Sequence, residues 1–131
     1  MPARLSIVIP AYNEAALLPR LLDTIDVARG RFAGGADAID VIVADNSSTD
    51  DTAAIATARG CRVARVEKRM IGAARNGGAA VATAPIVCFV DADMQIHADS
   101  FDAIEQALVR GTFSARASNH PTAHRYWYDD R

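Results

Sequence analysis

Residues 86–93 read IVCFVDAD, an unbroken apolar run that ends in two carboxylates, Asp91 and Asp93, with one alanine between them. A run without polar alternation predicts a strand buried on both faces, the position of a central strand in a parallel sheet. Parallel strands need helical crossovers, so this one segment commits the chain to an α/β fold. In open sheets of that kind ligands bind in the crevice outside the carboxyl ends of the strands, which is where the two acids fall. In an extended chain residues i and i+2 point the same way, about 6–7 Å apart. That gap is too wide for a shared proton, but it lets one carboxylate hold a hard cation while the other contacts a neighbouring part of the same ligand. The plainer reading is that both acids solvate a turn.

The rest of the chain fits the same plan. Strands are expected at 5–9, ended by Pro10, at 39–44, ended by Asp45, at 61–66 and at 86–90. Between them, Leu18, Leu21, Leu22 and Ile25 follow helical spacing, with Pro19 tolerated as an early helical residue. Ser48-Thr49-Asp50-Asp51 resembles a capping box opening a helix to Arg59, which Gly60 stops. The alanine- and glycine-rich stretch 71–84 predicts a thin helix lying close on the sheet, with Gly72, Gly77 and Gly78 permitting the approach. Phe101, Ile104 and Leu108 form one face of a last helix closed by Gly111. Residues 1–111 thus read as one domain and 112–131 as a tail of uncertain structure. Phe113 and Ala115 are consistent with the start of a strand. His120, His124, Tyr126, Trp127 and Tyr128 have no clear period and read as a partner surface or a poorly ordered end, with no chemistry assigned.

Composition narrows the class. The 131 residues are 50% hydrophobic and 23% charged, as expected for one folded domain. A formal net charge of −2 leaves no electrostatic footprint for nucleic acid. No apolar run reaches the roughly 18–20 residues of a membrane span. The first residues meet Asn13 and Glu14 too early for a secretory signal. Cys61 and Cys88, far apart in expected strands, predict neither a disulfide framework nor a zinc site. A cytoplasmic location is expected.

Three strand ends carry polar clusters: Tyr12-Asn13-Glu14, Asp45-Asn46-Ser47-Ser48 and Asp91-Ala92-Asp93. Three on one sheet edge point to a ligand crevice. The donor set suits a nucleoside diphosphate: Tyr12 offers a flat face to a base, and Asp45 or Asn46 can bond the base or ribose. Asp91 and Asp93 can place Mg²⁺ or Mn²⁺ beside the pyrophosphate, since these ions commonly use one or two carboxylates plus phosphate oxygens. Such a cation also neutralises a departing diphosphate.

SIVIPAYNE, VIVADNSSTD, GAARNGGAA and FVDAD, in that order over roughly residues 4–111, resemble the nucleotide-sugar half of the family 2 glycosyltransferases of GT-A fold. The resemblance implies a Rossmann-like GT-A three-layer sandwich with a mainly parallel sheet flanked by helices, truncated after the DxD region. It implies transfer of a sugar from a UDP- or GDP-sugar to an acceptor, usually with inversion, dependent on Mg²⁺ or Mn²⁺. By position, Ala11, Tyr12 and Glu14 would border the nucleotide and Asp45 would contact the base. Asn46 stands where the family often has a second acid. Arg75 would lie near the nucleotide or phosphates, Asp91 near ribose and metal, and Asp93 would be the direct metal ligand. Family members usually continue into an acceptor-binding region that supplies the general base. After Gly111 only Asp129 and Asp130, at the extreme terminus, offer carboxylates, so the base stays unassigned. The acceptor is unknown, and peripheral membrane association and oligomerisation are left open.

Plainer readings stand beside these. Tyr12 packs over the sheet edge, Asp45 caps the next helix, Arg75 is a solvated helix charge and His97 is an exposed loop histidine. Two other functions compete. A haloacid-dehalogenase-type phosphatase also ends a strand in DxD, but that strand should come first and be followed by threonine where this chain has Gln95. A non-catalytic α/β nucleotide-binding or interaction domain needs no acceptor half.

Overall fold

A computed structural model of the chain describes residues 3–67, 71–110, 116–117 and 126–129. The two longest strands are the most apolar stretches. Strand β1 (Leu5–Ala11) is buried at every position but Pro10, and β2 (Ile39–Asp45) at every position but Asp40. They pair in parallel from Leu5 opposite Ile39 to Ala11 opposite Asp45. Strand β3 (Arg62–Arg65) adds to the outer edge of β2, and β4 (Ile86–Phe89) adds to β1 with Leu5 opposite Ile86. Beyond β4, the backbone of Tyr126–Asp129 (β6) pairs in parallel with β4, and Arg116–Ala117 (β5) pairs antiparallel with β6. The sheet order is β3-β2-β1-β4-β6-β5.

Helices cover both faces, giving three layers. Helices α1 (Leu18–Arg31), α2 (Thr52–Ala58) and α4 (Ser100–Arg110) share a core with Leu5, Ile7, Ile9, Val41, Val43 and Cys88. The alternate residues Val8, Ile42, Ala44, Val87 and Phe89 pack under α3 (Ile71–Val81) on the opposite face. This alternation is the period-two pleat of strands buried on both sides. The expected core face of α1 is observed, with Leu18, Leu21, Leu22 and Ile25 buried. Gly77 and Gly78 bring α3 against the sheet as expected, whereas a Cβ on Gly72 would meet nothing within 4 Å.

The chain order reverses between β1 and β4. The connection leaving β1 runs through α1 on one face, and the one entering β4 runs through α3 on the other. Their carboxyl ends therefore diverge and open a crevice, the topological switch point where ligands bind in sheets of this kind.

Several boundaries differ from the sequence expectation. Pro10 does not end β1, which continues through it to Ala11. Val8 accepts the Val90 N–H while Ala11 accepts the Asn46 N–H, so the edge on which Pro10 lacks a donor faces β4 beyond its last paired residue. No ladder bond is lost there. The Ser48 capping box does not form: α2 starts at Thr52, and the Ser48 hydroxyl instead accepts the Asn13 N–H. The third strand starts at Arg62 rather than Cys61, and α3 ends at Val81. Strand β6 was not expected, because four residues carry no period of their own; pairing with β4 and β5 selects it. His120, His124, Phe113 and Ala115 lie outside the described residues.

At the amino ends of the strands a polar cluster ties four segments together. Asp40 Oδ2 accepts from the Ser6 hydroxyl at 3.0 Å, from Arg62 Nη2 at 2.7 Å and from the Thr83 hydroxyl at 3.2 Å, while Ser6 Oγ accepts the Ala84 N–H. Burial alone would raise the Asp40 carboxyl, but the bonds from Arg62 and Ser6 outweigh it and hold the group below the usual carboxylate range. A carboxylate depressed in the folded state stabilises the fold above its unfolded pKa and loses that contribution as pH falls through the folded value. Asp40→Asn is therefore expected to cost about 2 kcal/mol at pH 7, by weakening the Arg62 pair and misplacing the Ser6 and Thr83 donors. The cost should shrink toward pH 3. Denaturant midpoints of both proteins at pH 7 and pH 3 check this.

Candidate functional site

The loop after β1 and the loop after β2 are bolted together before any ligand enters. Asn13 has a φ of 51° and Ser47 a φ of 60°, left-handed values that asparagine tolerates better than most residues. In that conformation the Asn13 side-chain carbonyl accepts the N–H of Thr49 at 2.8 Å and of Asp50 at 3.3 Å. The Glu14 N–H donates to the Thr52 hydroxyl and the Ala15 N–H to Asp50 Oδ2. The Thr52 hydroxyl first, with the Thr52 and Ala15 N–H groups, holds the exposed Asp50 carboxyl below its ordinary value. These bonds span about 35 residues of sequence and set Tyr12 and Glu14 on one wall of the crevice.

The opposite wall follows β4. The strand ends at Phe89, and residues 91–94 form a turn closed by the Met94 N–H on the Asp91 carbonyl at 3.0 Å. The extended i, i+2 spacing expected for the two acids is thus replaced by turn geometry. The pairing of β1 with β4 ends at Val8 and Phe89, with one further bond from the Val90 N–H to the Val8 carbonyl, so the residues after Val90 have no described ladder to β1. Both acids still face one cavity. A cleft of about 250 Å³ is lined by Pro10, Ala11, Tyr12, Glu14, Asn46, Ala74, Asp91, Ala92 and Asp93.

The expected site residues distribute unequally. Ala11, Tyr12, Glu14, Asn46, Asp91 and Asp93 line the cleft. Asp45 does not; it is 4% exposed, and its Oδ1 accepts the Ser48 N–H at 3.1 Å. Arg75 lies one residue beyond the lining Ala74. Its Nη2 is 3.7 Å from Asp91 Oδ1 and its guanidinium lies 5.5 Å from the centre of the Phe89 ring, so it is no freely solvated charge. Tyr12 is 38% exposed, a face turned to the cleft rather than buried over the sheet. His97 is an exposed loop residue and does not line the cleft.

The cleft is electronegative. Burial first, and then the charges of Asp93, Asp50 and Asp91, raise the Glu14 carboxyl above its ordinary value. Among the described residues no three His, Cys, Asp or Glu side chains gather into a set that would hold a metal by themselves.

A family model for glycosyl transferase family 2 matches residues 6–120. The chain belongs to glycosyl transferase family 2. An uncharacterized glycosyltransferase of Mycobacterium tuberculosis is 30% identical over 122 residues, covering 93% of this chain and 51% of that protein. Validoxylamine A glucosyltransferase of Streptomyces hygroscopicus subsp. jinggangensis is 39% identical over 93 residues, covering 66% of this chain and 21% of that enzyme. Among solved structures, glucosyl-3-phosphoglycerate synthase from M. tuberculosis, in complex with Mn²⁺, UDP and glucosyl-3-phosphoglycerate, superimposes with a TM-score of 0.65 at 29% identity. It covers 81% of this chain and 39% of that one. The family 2 domain described here thus spans about half the length of its mycobacterial relative, and a smaller part of the others.

Membership in this family, with the GT-A fold its solved neighbours share, removes the phosphatase alternative. No described helix is long and apolar enough to cross a membrane. The sequence reading put Asn13 in a strand-end cluster without giving it a role, and it assigned none at the site to Asp50 and Thr52. The one signal available was an asparagine directly after the strand-end tyrosine, in a turn, where that residue readily turns left-handed.

Proposed function

We propose that the cleft binds the nucleotide part of a UDP-sugar together with Mg²⁺ or Mn²⁺, and that this chain is the donor-binding part of an inverting, metal-dependent glycosyltransferase. The observation that carries the reading is the meeting of Tyr12, Glu14, Asn46, Asp91 and Asp93, from three strand ends, at the switch point between β1 and β4. UDP is favoured over GDP because UDP and Mn²⁺ are bound in glucosyl-3-phosphoglycerate synthase, a neighbour of the same fold at 29% identity.

The residues fit a hard divalent cation. The Asp91 and Asp93 carboxylates supply oxygen donors of the right kind, and too few of them to complete a coordination shell. That is the usual condition of Mg²⁺ and Mn²⁺ sites finished by phosphate oxygens. The Glu14 carboxyl is raised by burial first and then by the charges of Asp93, Asp50 and Asp91, and a cation would relieve the second of these causes. When bound, the cation would neutralise the charge developing on the departing diphosphate.

The chain's own residues do the rest. Asp93 and Asp91 would hold the ion. Arg75, paired with Asp91, orients that carboxylate and brings a positive charge toward the phosphates. The Tyr12 ring offers a stacking face to the uracil, and Ala11 borders it with a small side chain that leaves room for the base. Asp45, buried and not lining the cleft, accepts the Ser48 N–H at Oδ1 and so braces the turn that carries Asn46. Asn46 completes that end of the cleft with an amide in place of a second acid. The acceptor and its general base stay unassigned.

Isothermal titration calorimetry with UDP and GDP, each with and without Mn²⁺, tests the reading. The expected result is UDP binding that strengthens at least tenfold with Mn²⁺, as shared phosphate–carboxylate coordination requires (about 1.4 kcal/mol). Binding of neither nucleotide, or binding indifferent to the metal, overturns it. Binding without hydrolysis or transfer of any UDP-sugar would favour the non-catalytic alternative.

A further inference from the structure

Among the described residues, few backbone hydrogen bonds hold the stretch that runs from Asp93 to His97. After Val90, whose N–H still donates to the Val8 carbonyl, the chain leaves β1, and the described backbone bonds of residues 92–97 are the Met94 N–H on the Asp91 carbonyl and the Ser100 N–H on the His97 carbonyl. Ala92 is buried, and Met94 and Ile96 are half-buried against the core, which fixes the depth of the segment but not its rotation. Two side chains from α1 supply what is missing. Arg20 Nη2 donates to the Asp93 carbonyl at 3.1 Å, and the Thr24 hydroxyl accepts the Ile96 N–H at 3.1 Å while donating to the Leu21 carbonyl at 2.7 Å. Residues 20 and 24 are one helical turn apart on the same face of α1. They grip two points of the loop three residues apart.

Resting on the donor-site reading above, we propose that Arg20, with Thr24 as its companion, is a positioning residue for Asp93. The guanidinium fixes the peptide that follows Asp93, and so the direction in which the carboxylate leaves the backbone. A charged donor to a carbonyl is stronger than a neutral one, and α1 is a rigid anchor because its opposite face is buried in the core. Arg20 reaches the loop without lining the cleft. Its effect should therefore fall on the geometry of the metal ligand rather than on the nucleotide.

Arg20→Ala, Arg20→Lys and Thr24→Ala test this with two readouts. The first is the apparent Mn²⁺ affinity in the presence of UDP, set against UDP affinity without metal. Arg20→Ala is expected to weaken Mn²⁺ about tenfold, the lower end for loss of a group that orients a metal ligand, with metal-free UDP affinity within about twofold. Thr24→Ala should weaken Mn²⁺ in the same direction, and Arg20→Lys should recover much of the loss, because one ammonium donor suffices for one carbonyl. The second readout needs no ligand: amide hydrogen exchange of Met94 and Ile96 should quicken in Arg20→Ala and Thr24→Ala while exchange in β1 and β2 does not. Unchanged Mn²⁺ affinity together with unchanged exchange overturns the proposal. An equal loss of metal-free UDP affinity also overturns it, since Arg20 would then touch the nucleotide directly. Parent protein that binds no UDP under either condition removes the donor-site reading instead, and the exchange data alone then decide whether Arg20 holds the segment.

Discussion

Replacing Asp93 with alanine is expected to weaken Mn²⁺-dependent UDP binding on the order of a hundredfold or more, beyond the loss from removing a group that merely orients a metal ligand. The fold should be unaffected: Asp93 is exposed in a turn, and substitutions in such positions usually change stability by no more than about 0.5 kcal/mol. The direction follows from the field in the cleft. Glu14, Asp91 and Asp93 bring like charges together, and burial first, then the charges of Asp93, Asp50 and Asp91, make Glu14 hold its proton more tightly. A divalent cation resolves that repulsion, so deleting one of its carboxylates removes both a donor and a reason for the ion to enter. Asp91→Asn should cost less, because the Asp91 backbone carbonyl keeps the turn bond to Met94 and the amide oxygen can still face the ion. Titration of Mn²⁺ into UDP-saturated protein measures both. An Asp93→Ala protein with parental Mn²⁺ dependence would falsify the assignment of Asp93 as a metal ligand.

The second large effect lies under the cleft, where α3 meets the sheet. A Cβ built on Gly78 would stand 2.4 Å from Val8 Cγ1 and 3.2 Å from Ala44 Cβ, both on fully buried residues. Val8 is β-branched and stiff, so it cannot swing aside. Gly78→Val is expected to destabilise the domain by about 3 kcal/mol, the upper end for overpacking a dense core. Gly78→Ala should cost about 1–2 kcal/mol, since the clash exceeds the gain of up to about 1 kcal/mol in helix propensity. Gly72→Ala, in the same helix and with open space around it, should be neutral or stabilising. Adding Val8→Ala to Gly78→Ala should restore room, giving a favourable coupling of at least about 1 kcal/mol in a double-mutant cycle. Because Ala74 lines the cleft and Arg75 pairs with Asp91, lifting α3 off the sheet should also weaken UDP binding. Urea denaturation of the parent and these variants, with Val8→Ala alone to close the cycle, reports the energies. Additive losses would mean that Gly78 and Val8 do not contend for one space.

Much of this molecule is written in local patterns. The apolar runs around Ile7, Val43 and Val87 could be read as strands buried on both faces because burial imposes its period on neighbouring residues. Leu18, Leu21, Leu22 and Ile25 announced the inner face of α1 for the same reason. Tyr12, Asn46 and the two acids could be assigned to one edge because parallel strands end on one side. The four motif strings, in their order, carried the family.

What stayed hidden depends on residues far apart in the chain. Whether Pro10 breaks β1 depends on which neighbour its missing N–H faces, and β4 answers that from about eighty residues away. Asp91 and Asp93 sit in a turn beyond the end of the β1–β4 pairing, which nothing in IVCFVDAD foretells. Asn13 reads as a polar turn residue until Thr49 and Asp50 donate to it, and Arg20 as a surface charge until the Asp93 carbonyl arrives beneath it. The amino-acid sequence by itself determined the class of fold, the face each apolar residue buries and the edge where ligands gather, since all three follow from period and order. Only the tertiary structure decided how the acids are aimed and what holds them there, since a hydrogen bond between distant segments leaves no spacing for a sequence to display.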